Sequence, residues 1–344
     1  MHHLLHEQPG RTVRIDGKEY LFFSGYAYLG MNKNDAFIEL VKDGLDKYGL
    51  LFPSSRISNT RLNLYEEFEN VLSNMIGSEE TVCFSSGFLA GKAASSIFKN
   101  ISVAPGAHPS INNKDLNDYK DFYDWSTSFI HSVNASESQS ASVFAADSVN
   151  VLTSEINDFS FLSSTQKNII AIIDDSHGIG LTGKNGKGIS SLISQQKNVE
   201  FIFTYSLSKA FGLIGGAVSC SKKNASLLRA THEYTASTNI SPAFMYAFIY
   251  AQKLYEQQRE KLKQNIFYFQ NLIKEISQIK FHADLPIFIL PQTINEEMVF
   301  KNKIIISSFA YPNPSGKKIH RIIVNALHTK TDLEYLSECV KNVI

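Results

Sequence analysis

Two stretches of the chain place acid, imidazole and amine side chains where a buried strand gives way to a polar loop. Asp174 closes the apolar run Ile169–Ile173, and His177 follows it by three residues. After a second apolar run, Phe201–Tyr205, comes Ser206-Leu-Ser-Lys209-Ala-Phe-Gly212, then Gly215-Gly216. In an open α/β sheet, ligands bind at the carboxyl ends of the strands, which is where this spacing puts Asp174. A lone lysine is ordinarily a solvated charge. Lys209 instead lies between apolar runs and among Ser and Gly, so its amine can reach a ligand without steric shielding. Burial there would depress its pKa and free the amine for Schiff-base chemistry. A lone histidine is ordinarily a satisfied core or loop residue; only its offset from Asp174 sets His177 apart.

The same region carries two nucleotide-like patterns. Gly178-Ile-Gly180-Leu-Thr-Gly183 matches GxGxxG. Gly178 to Asn185 is one residue short of a phosphate-binding loop, with Asn185 where Ser or Thr would coordinate magnesium. Both motifs need their glycines at the turn from a strand into an apolar-faced helix. Here Asp174-Asp-Ser-His177 intervene, and Lys184-Asn-Gly-Lys-Gly188 is too glycine-rich to begin a helix. A glycine-rich surface loop is the expectation.

The elements that must position these groups read as an α/β sheet. Short apolar runs at Thr81–Phe84, Ile101–Ala104, Ser142–Ala146, Ile169–Ile173, Phe201–Tyr205 and Gly216–Cys220 have the length and composition of strands buried on both faces. Helical spacing lies between them, as in Leu64, Phe68, Val71, Leu72 and Met75. Strands alternating with helices predict a mostly parallel sheet with right-handed crossovers. The Ser-rich run Ser132 to Ser142 predicts a loop. Pro242, with Ser241 as cap, predicts one helix running to Ile276. Phe281–Leu290, Lys303–Phe309, His320–Asn325 and a terminal helix from Thr331 form a smaller α+β unit. The expected organisation is an N-terminal arm (1–45), a large α/β domain (46–241), then a linking helix and small C-terminal domain (242–344).

Bulk properties bound the function. With 344 residues and 43% hydrophobic content the chain can build a large core. Lys and Arg number 33, as do Asp and Glu, so no charge excess points to nucleic acid. The cysteines Cys83, Cys220 and Cys339 are scattered and odd in number, which fits a reducing compartment and no disulfide framework. No cysteine spacing marks a metal site, and no apolar run has membrane-spanning length. The N-terminus has histidines but no apolar signal core, which reads as cytoplasmic.

IIDDSHGIGLTGKNGKG (172–188) together with TYSLSKAFGLIGG (204–216) resembles the α-oxoamine synthases, pyridoxal-phosphate (PLP) enzymes of the aspartate-aminotransferase fold, fold type I. Further segments in the same order extend the resemblance nearly end to end. They are Tyr20 to Gly30, Ser55 to Thr60 with Leu64 and Glu66–Glu69, Phe84 to Ala90, His108-Pro-Ser110, and His320 to His328. The resemblance implies that Lys209 holds PLP as a Schiff base, that Asp174 pairs with the pyridine nitrogen and that His177 hydrogen-bonds the ring's phenolate oxygen. His108 would stack on the ring. Gly87 and Phe88, opening a helix, would meet the phosphate through backbone N–H groups, with Ser206 adding a hydroxyl. Thr238 matches a residue supplied by the partner subunit of a homodimer. Arg321 would clamp the amino-acid carboxylate.

The implied activity is condensation of an amino acid, alanine or glycine, with an acyl thioester of coenzyme A or acyl-carrier protein, with decarboxylation. Alanine with a pimeloyl thioester, the biotin-forming branch, is the favoured pair. Another member such as a glycine C-acetyltransferase, a PLP aminotransferase, or a non-catalytic PLP-fold subunit are the alternatives. Departures bear on acyl specificity. Tyr26 replaces the usual Asn near the acyl substrate, Leu50-Leu-Phe-Pro-Ser54 replaces a glycine-rich stretch, and Ala145 replaces a serine near the cofactor.

Overall fold

The computed structural model describes residues 3–112, 119–311 and 313–344. They form two compact units, one of residues 36–150 and 156–252, the other of 3–35, 151–155 and 253–344.

The first unit is built on a six-stranded sheet in the order Glu80–Phe84, Gly216–Cys220, Val199–Ser206, Ile169–Asp174, Ser142–Asp147, Ser102–Val103. All six expected runs are strands of this one sheet. The last four in that order are mutually parallel. Gly216–Cys220 runs antiparallel to both of its neighbours. Only residues 207–215 connect it to the preceding strand. That is too short for the dozen-residue crossover a parallel pair requires.

Side chains alternate between the faces of each strand. Ala145, Ile172, Ile202 and Val218 point into a core shared with Ala90, Ala93 and Ala94 of the helix Gly87–Ser96. Phe144 takes the other face, where its ring packs edge-on to Trp125 at 5.5 Å and Phe129 at 5.3 Å, both on the helix Phe122–Ala135. Fully burying such a side chain contributes about 1.5–3 kcal/mol. That helix takes in the first residues of the Ser-rich run expected to be loop, and the loop proper is 136–141.

The single helix expected from Pro242 is two, Pro242–Tyr250 and Gln252–Ile273, broken at Ala251. Ser241 does not cap the first of them. Its hydroxyl donates instead to the Leu50 carbonyl at 2.6 Å.

The second unit has its own six-stranded sheet, ordered Thr12–Ile15, Lys18–Phe23, Ile304–Ala310, Lys318–Ile323, Ile287–Ile289, Lys280–Phe281. The N-terminal hairpin joins it through a parallel pairing of Lys18–Phe23 with Ile304–Ala310. Its terminal helix, Lys330–Val343, starts on a reciprocal cap: Thr329 and Asp332 each accept the other's backbone N–H. Among the described residues no helix is long and apolar enough to cross a membrane.

Candidate active site

At the carboxyl ends of three parallel strands, the face packed on the helix Gly87–Ser96 changes from apolar to polar. Two residues beyond Ala145, Ile172 and Ile202 stand Asp147, Asp174 and Thr204, side by side in register. Asp174 is held by two donors. Ser176 N–H reaches Oδ1 at 2.9 Å and Ser110 Oγ reaches Oδ2 at 3.2 Å. Ser110 Oγ also lies 2.8 Å from His108 Nδ1, and the Ser110 backbone nitrogen lies 3.2 Å from the same ring nitrogen. The His108 N–H itself donates to Asp147 Oδ1 at 3.0 Å. One short loop therefore ties both carboxyl groups together.

Lys209 faces this group. It is half-buried, and the surrounding protein lowers its pKa because burial disfavours the ammonium. Asp174 and Asp147 act in the opposite direction and retain part of the charge. Burial likewise lowers His108, with Asp174 opposing and Lys209 and Lys92 adding to the fall. Burial first, then the adjacent Asp174, pushes the Asp147 carboxyl well up. Lys209 thus has its amine within electrostatic reach of Asp174, Asp147 and His108.

The helix N-terminus beside this group is an anion cradle with a steric signature. Ser86 caps the helix, accepting Leu89 N–H at 3.1 Å. The amides of Gly87 and Phe88 precede the first intrahelical bond, from Ala90 N–H to the Ser86 carbonyl. A Cβ on Gly87 would lie 2.5 Å from Ser206 Cβ, so glycine is what lets this turn approach the strand. Ser206 Oγ and Ser208 Oγ are 2.8 Å apart at the same place. The cradle offers donors and no carboxylate, which suits a phosphate. Thr204 Oγ1 is buried beside Asp174 without a partner, and such a hydroxyl ordinarily has one. A phosphate cradle, a carboxylate, a ring-sized imidazole neighbour and a softened amine on one face fit PLP.

The other expected residues distribute as follows. His177 is half-buried in the turn after Asp174. The Phe88 ring is half-exposed and edge-on to His108, with centroids 6.4 Å apart. Thr238 is exposed in an irregular segment. Ala145 is fully buried in the apolar row beneath Asp147. Arg321 belongs to the second unit. There its Nη1 donates to the Val151 carbonyl at 3.2 Å and its guanidinium lies 5.6 Å from the Phe309 ring centre. Burial lowers its pKa, Tyr28 opposing, and Nε is buried with no acceptor. Asp147 and Ser110 were not singled out as site residues from sequence. Ser110 lay inside a segment that carried the resemblance and Asp147 stands two residues beyond the departure at Ala145, but the links of Asp147 to His108 and of Ser110 to Asp174 are non-local.

The glycine-rich stretch after Asp174 is not a nucleotide loop. Asp175 is buried, accepting Ser148 Oγ at 2.6 Å and Ile189 N–H at 3.0 Å. A Cβ at Gly178 would stand 2.1 Å from one of its oxygens, and one at Gly188 1.8 Å from the other. Those glycines close the chain around a carboxyl group, in turns and short 3₁₀ segments.

An open α/β sheet with a lysine, an aspartate and a helix-terminal anion cradle at its strand ends is the frame of a PLP-dependent transferase. The family model described as aminotransferase class I and II matches residues 155–340. An 8-amino-7-oxononanoate synthase of Buchnera aphidicola is 27% identical, covering 96% of this chain and 90% of its own length. A serine palmitoyltransferase of Bacteriovorax stolpii is 25% identical over 97% and 84%. Among solved structures, Sphingomonas wittichii serine palmitoyltransferase superposes with a TM-score of 0.83 at 17% identity, covering 99% of this chain and 91% of that one. The chain belongs to the aminotransferase class I and II family and is a PLP-dependent enzyme.

Proposed function

We propose that the chain condenses alanine with a pimeloyl thioester, losing carbon dioxide and free thiol, to give the α-oxoamine used for biotin synthesis. The observation that carries the chemistry is the convergence of Lys209, Asp174 and His108 on one sheet face beside the Gly87 cradle. The 8-amino-7-oxononanoate synthases among the relatives support the choice of substrates. PLP, when bound, supplies an aldehyde for the amine and a ring that accepts an electron pair.

The chain's own residues do the rest. Gly87 and Phe88 amides and the Ser206 hydroxyl hold the phosphate. Asp174 keeps a proton at the ring nitrogen, and His177 donates to the ring oxygen. His108 covers the ring face. Lys209, its ammonium already disfavoured by burial, takes the proton from the amino-acid Cα as general base. Arg321, with a buried Nε still lacking an acceptor, receives the substrate carboxylate. Coenzyme A and acyl-carrier protein are the two carriers to test.

A homodimer is part of this reading. Exposed apolar residues Leu50, Leu51 and Ile57 lie on a segment tied to Thr235 and Ser241, which flank the exposed Thr238. The three free, buried cysteines support a cytoplasmic, reducing setting.

Borohydride reduction with PLP, then peptide mapping, tests the cofactor assignment. The modified residue should be Lys209. Assay of alanine with a panel of acyl thioesters, reading carbon dioxide, tests the reaction. Turnover with alanine and a keto acid, without carbon dioxide, would make the chain an aminotransferase instead.

A further inference from the structure

Asp147 has no role in the chemistry described so far, yet it is the second carboxyl group facing Lys209. It stands beside Asp174 on the neighbouring strand, in register and on the same face. Its strand end is fastened on two sides. Oδ1 accepts the His108 N–H at 3.0 Å, and its carbonyl accepts Asn157 Nδ2 at 2.8 Å. The loop it fastens is the one whose Ser110 hydroxyl reaches Asp174. His108 is thus set from both carboxyls, its backbone by Asp147 and its ring, through Ser110, by Asp174.

Two carboxylates held side by side in a buried site repel, and one ammonium balances only one of them. The bonds the two groups make are unequal. Asp174 takes two donors, a hydroxyl and an amide, on separate oxygens. Asp147 accepts one backbone amide. Donors stabilise the ionised form, so the charge belongs on Asp174. The rise in the Asp147 pKa from burial and from Asp174 agrees with that division.

We propose that Asp147 is a positioning residue of the PLP centre, standing as the neutral acid that anchors the His108 backbone and leaves Asp174 as the only carboxylate for the ring nitrogen. It rests on the PLP reading for its consequence, but the protonation state belongs to the protein alone.

The experiment has a cofactor-free arm and a cofactor arm. In the infrared spectrum of the apo-protein at neutral pH, Asp147→Asn should remove a protonated-carboxyl C=O band that Asp175→Asn leaves in place. Titration of apo-protein with PLP should give Asp147→Asn a Kd within about threefold of the parent, because the amide oxygen still accepts the His108 N–H. Asp147→Ala should weaken PLP about tenfold or more, the order of one hydrogen bond lost from a buried site. The pH midpoint of the bound cofactor's visible band should be unmoved in Asp147→Asn. No band lost in Asp147→Asn overturns the assignment. So does a Kd as weak as that of Asp147→Ala, or a midpoint displaced by a pH unit. An Asp147→Ala protein that binds like the parent removes the anchoring role. If the parent itself takes up no PLP, the cofactor reading falls, and the infrared arm alone decides the neutral acid.

Discussion

Replacing Gly87 with Ala tests the cradle through a single methyl group. The added Cβ would meet Ser206 Cβ at 2.5 Å, Cα at 2.8 Å and N at 3.1 Å. Carbon atoms pack at about 3.5–4.0 Å, so a displacement of about 1 Å is required. Ser206 cannot give it. Its N–H donates to Ser176 Oγ at 2.9 Å, and the residue pairs with Gly216 in the sheet. Gly216 in turn approaches the helix start so closely that a Cβ on it would lie 2.4 Å from Gly87 N. The first helical turn must therefore move away from Ser206, which separates the amides from the hydroxyl. Overpacking of this kind costs about 1–3 kcal/mol of stability. Loss of one charge-assisted phosphate bond costs about 1.5–3 kcal/mol more in binding, a PLP Kd weakened roughly 10- to 150-fold. Apo-protein titrated with PLP gives the Kd, and thermal melting gives the stability. Gly77→Ala is the control. Gly77 has φ +83° with nothing within 4 Å of an added Cβ, so it should lose about 1–2 kcal/mol of stability and no PLP affinity. A Gly87→Ala protein that holds PLP within twofold of the parent refutes the cradle, as do equal affinity losses in both variants.

Three further outcomes follow from the same geometry. Lys209→Ala should abolish borohydride-stable labelling by PLP; a label elsewhere at the parental yield would remove the central assignment. Arg321→Lys, which loses the planar fork, should raise the KM for the amino acid about tenfold or more with the PLP Kd unchanged. Equal loss in both constants would make Arg321 structural. Asp175 is pushed up to about 7 by burial, from 3.8. Its folded-state pKa is raised, so the stability it contributes is present below about pH 4 and is lost as pH climbs toward 7. The difference is on the order of 4 kcal/mol. Asp175→Asn should therefore gain on the parent in urea-denaturation midpoint between pH 5 and 8, and a constant offset would refute the assignment.

Much of the first unit was legible because buried strands announce themselves by composition. Every apolar run became a strand of one sheet, and Lys209 and Asp174 fell at the strand ends that the periodicity implied. The direction of Gly216–Cys220 was also present, in the shortness of residues 207–215, but composition says nothing of direction. Other features had no local signal. Leu21 pairs with Ile304 from the far end of the chain, and no periodicity couples such segments. The break at Ala251 has neither Pro nor Gly at it. Asp147 was hidden by its neighbour. The departure from the resemblance falls on Ala145, whose missing hydroxyl leaves it in the apolar row, while the polar row begins two residues later.

Asp174 and Asp175 show why motif matching misled where strand geometry did not. They are adjacent, yet one carboxylate faces Ser110 and Lys209 while the other is enclosed by Ser148, Ile189 and two glycines. The first glycine of GxGxxG, Gly178, together with Gly188 beyond the motif, leaves out the side chains that would otherwise enter this enclosure, whereas Gly180 lies against Ala210 and Phe211 and Gly183 against Ser191. Its enclosure then fixes the chain immediately after the strand, through Gly178 N–H and Ile179 N–H bonding back to the Asp175 carbonyl. A carboxylate that must hold a proton at one ring atom needs that stiffness more than it needs any further ligand. Gly178, the first glycine of the pattern that resembles a phosphate loop, thus serves the cofactor indirectly, by helping to hold still the residue before the one it encloses.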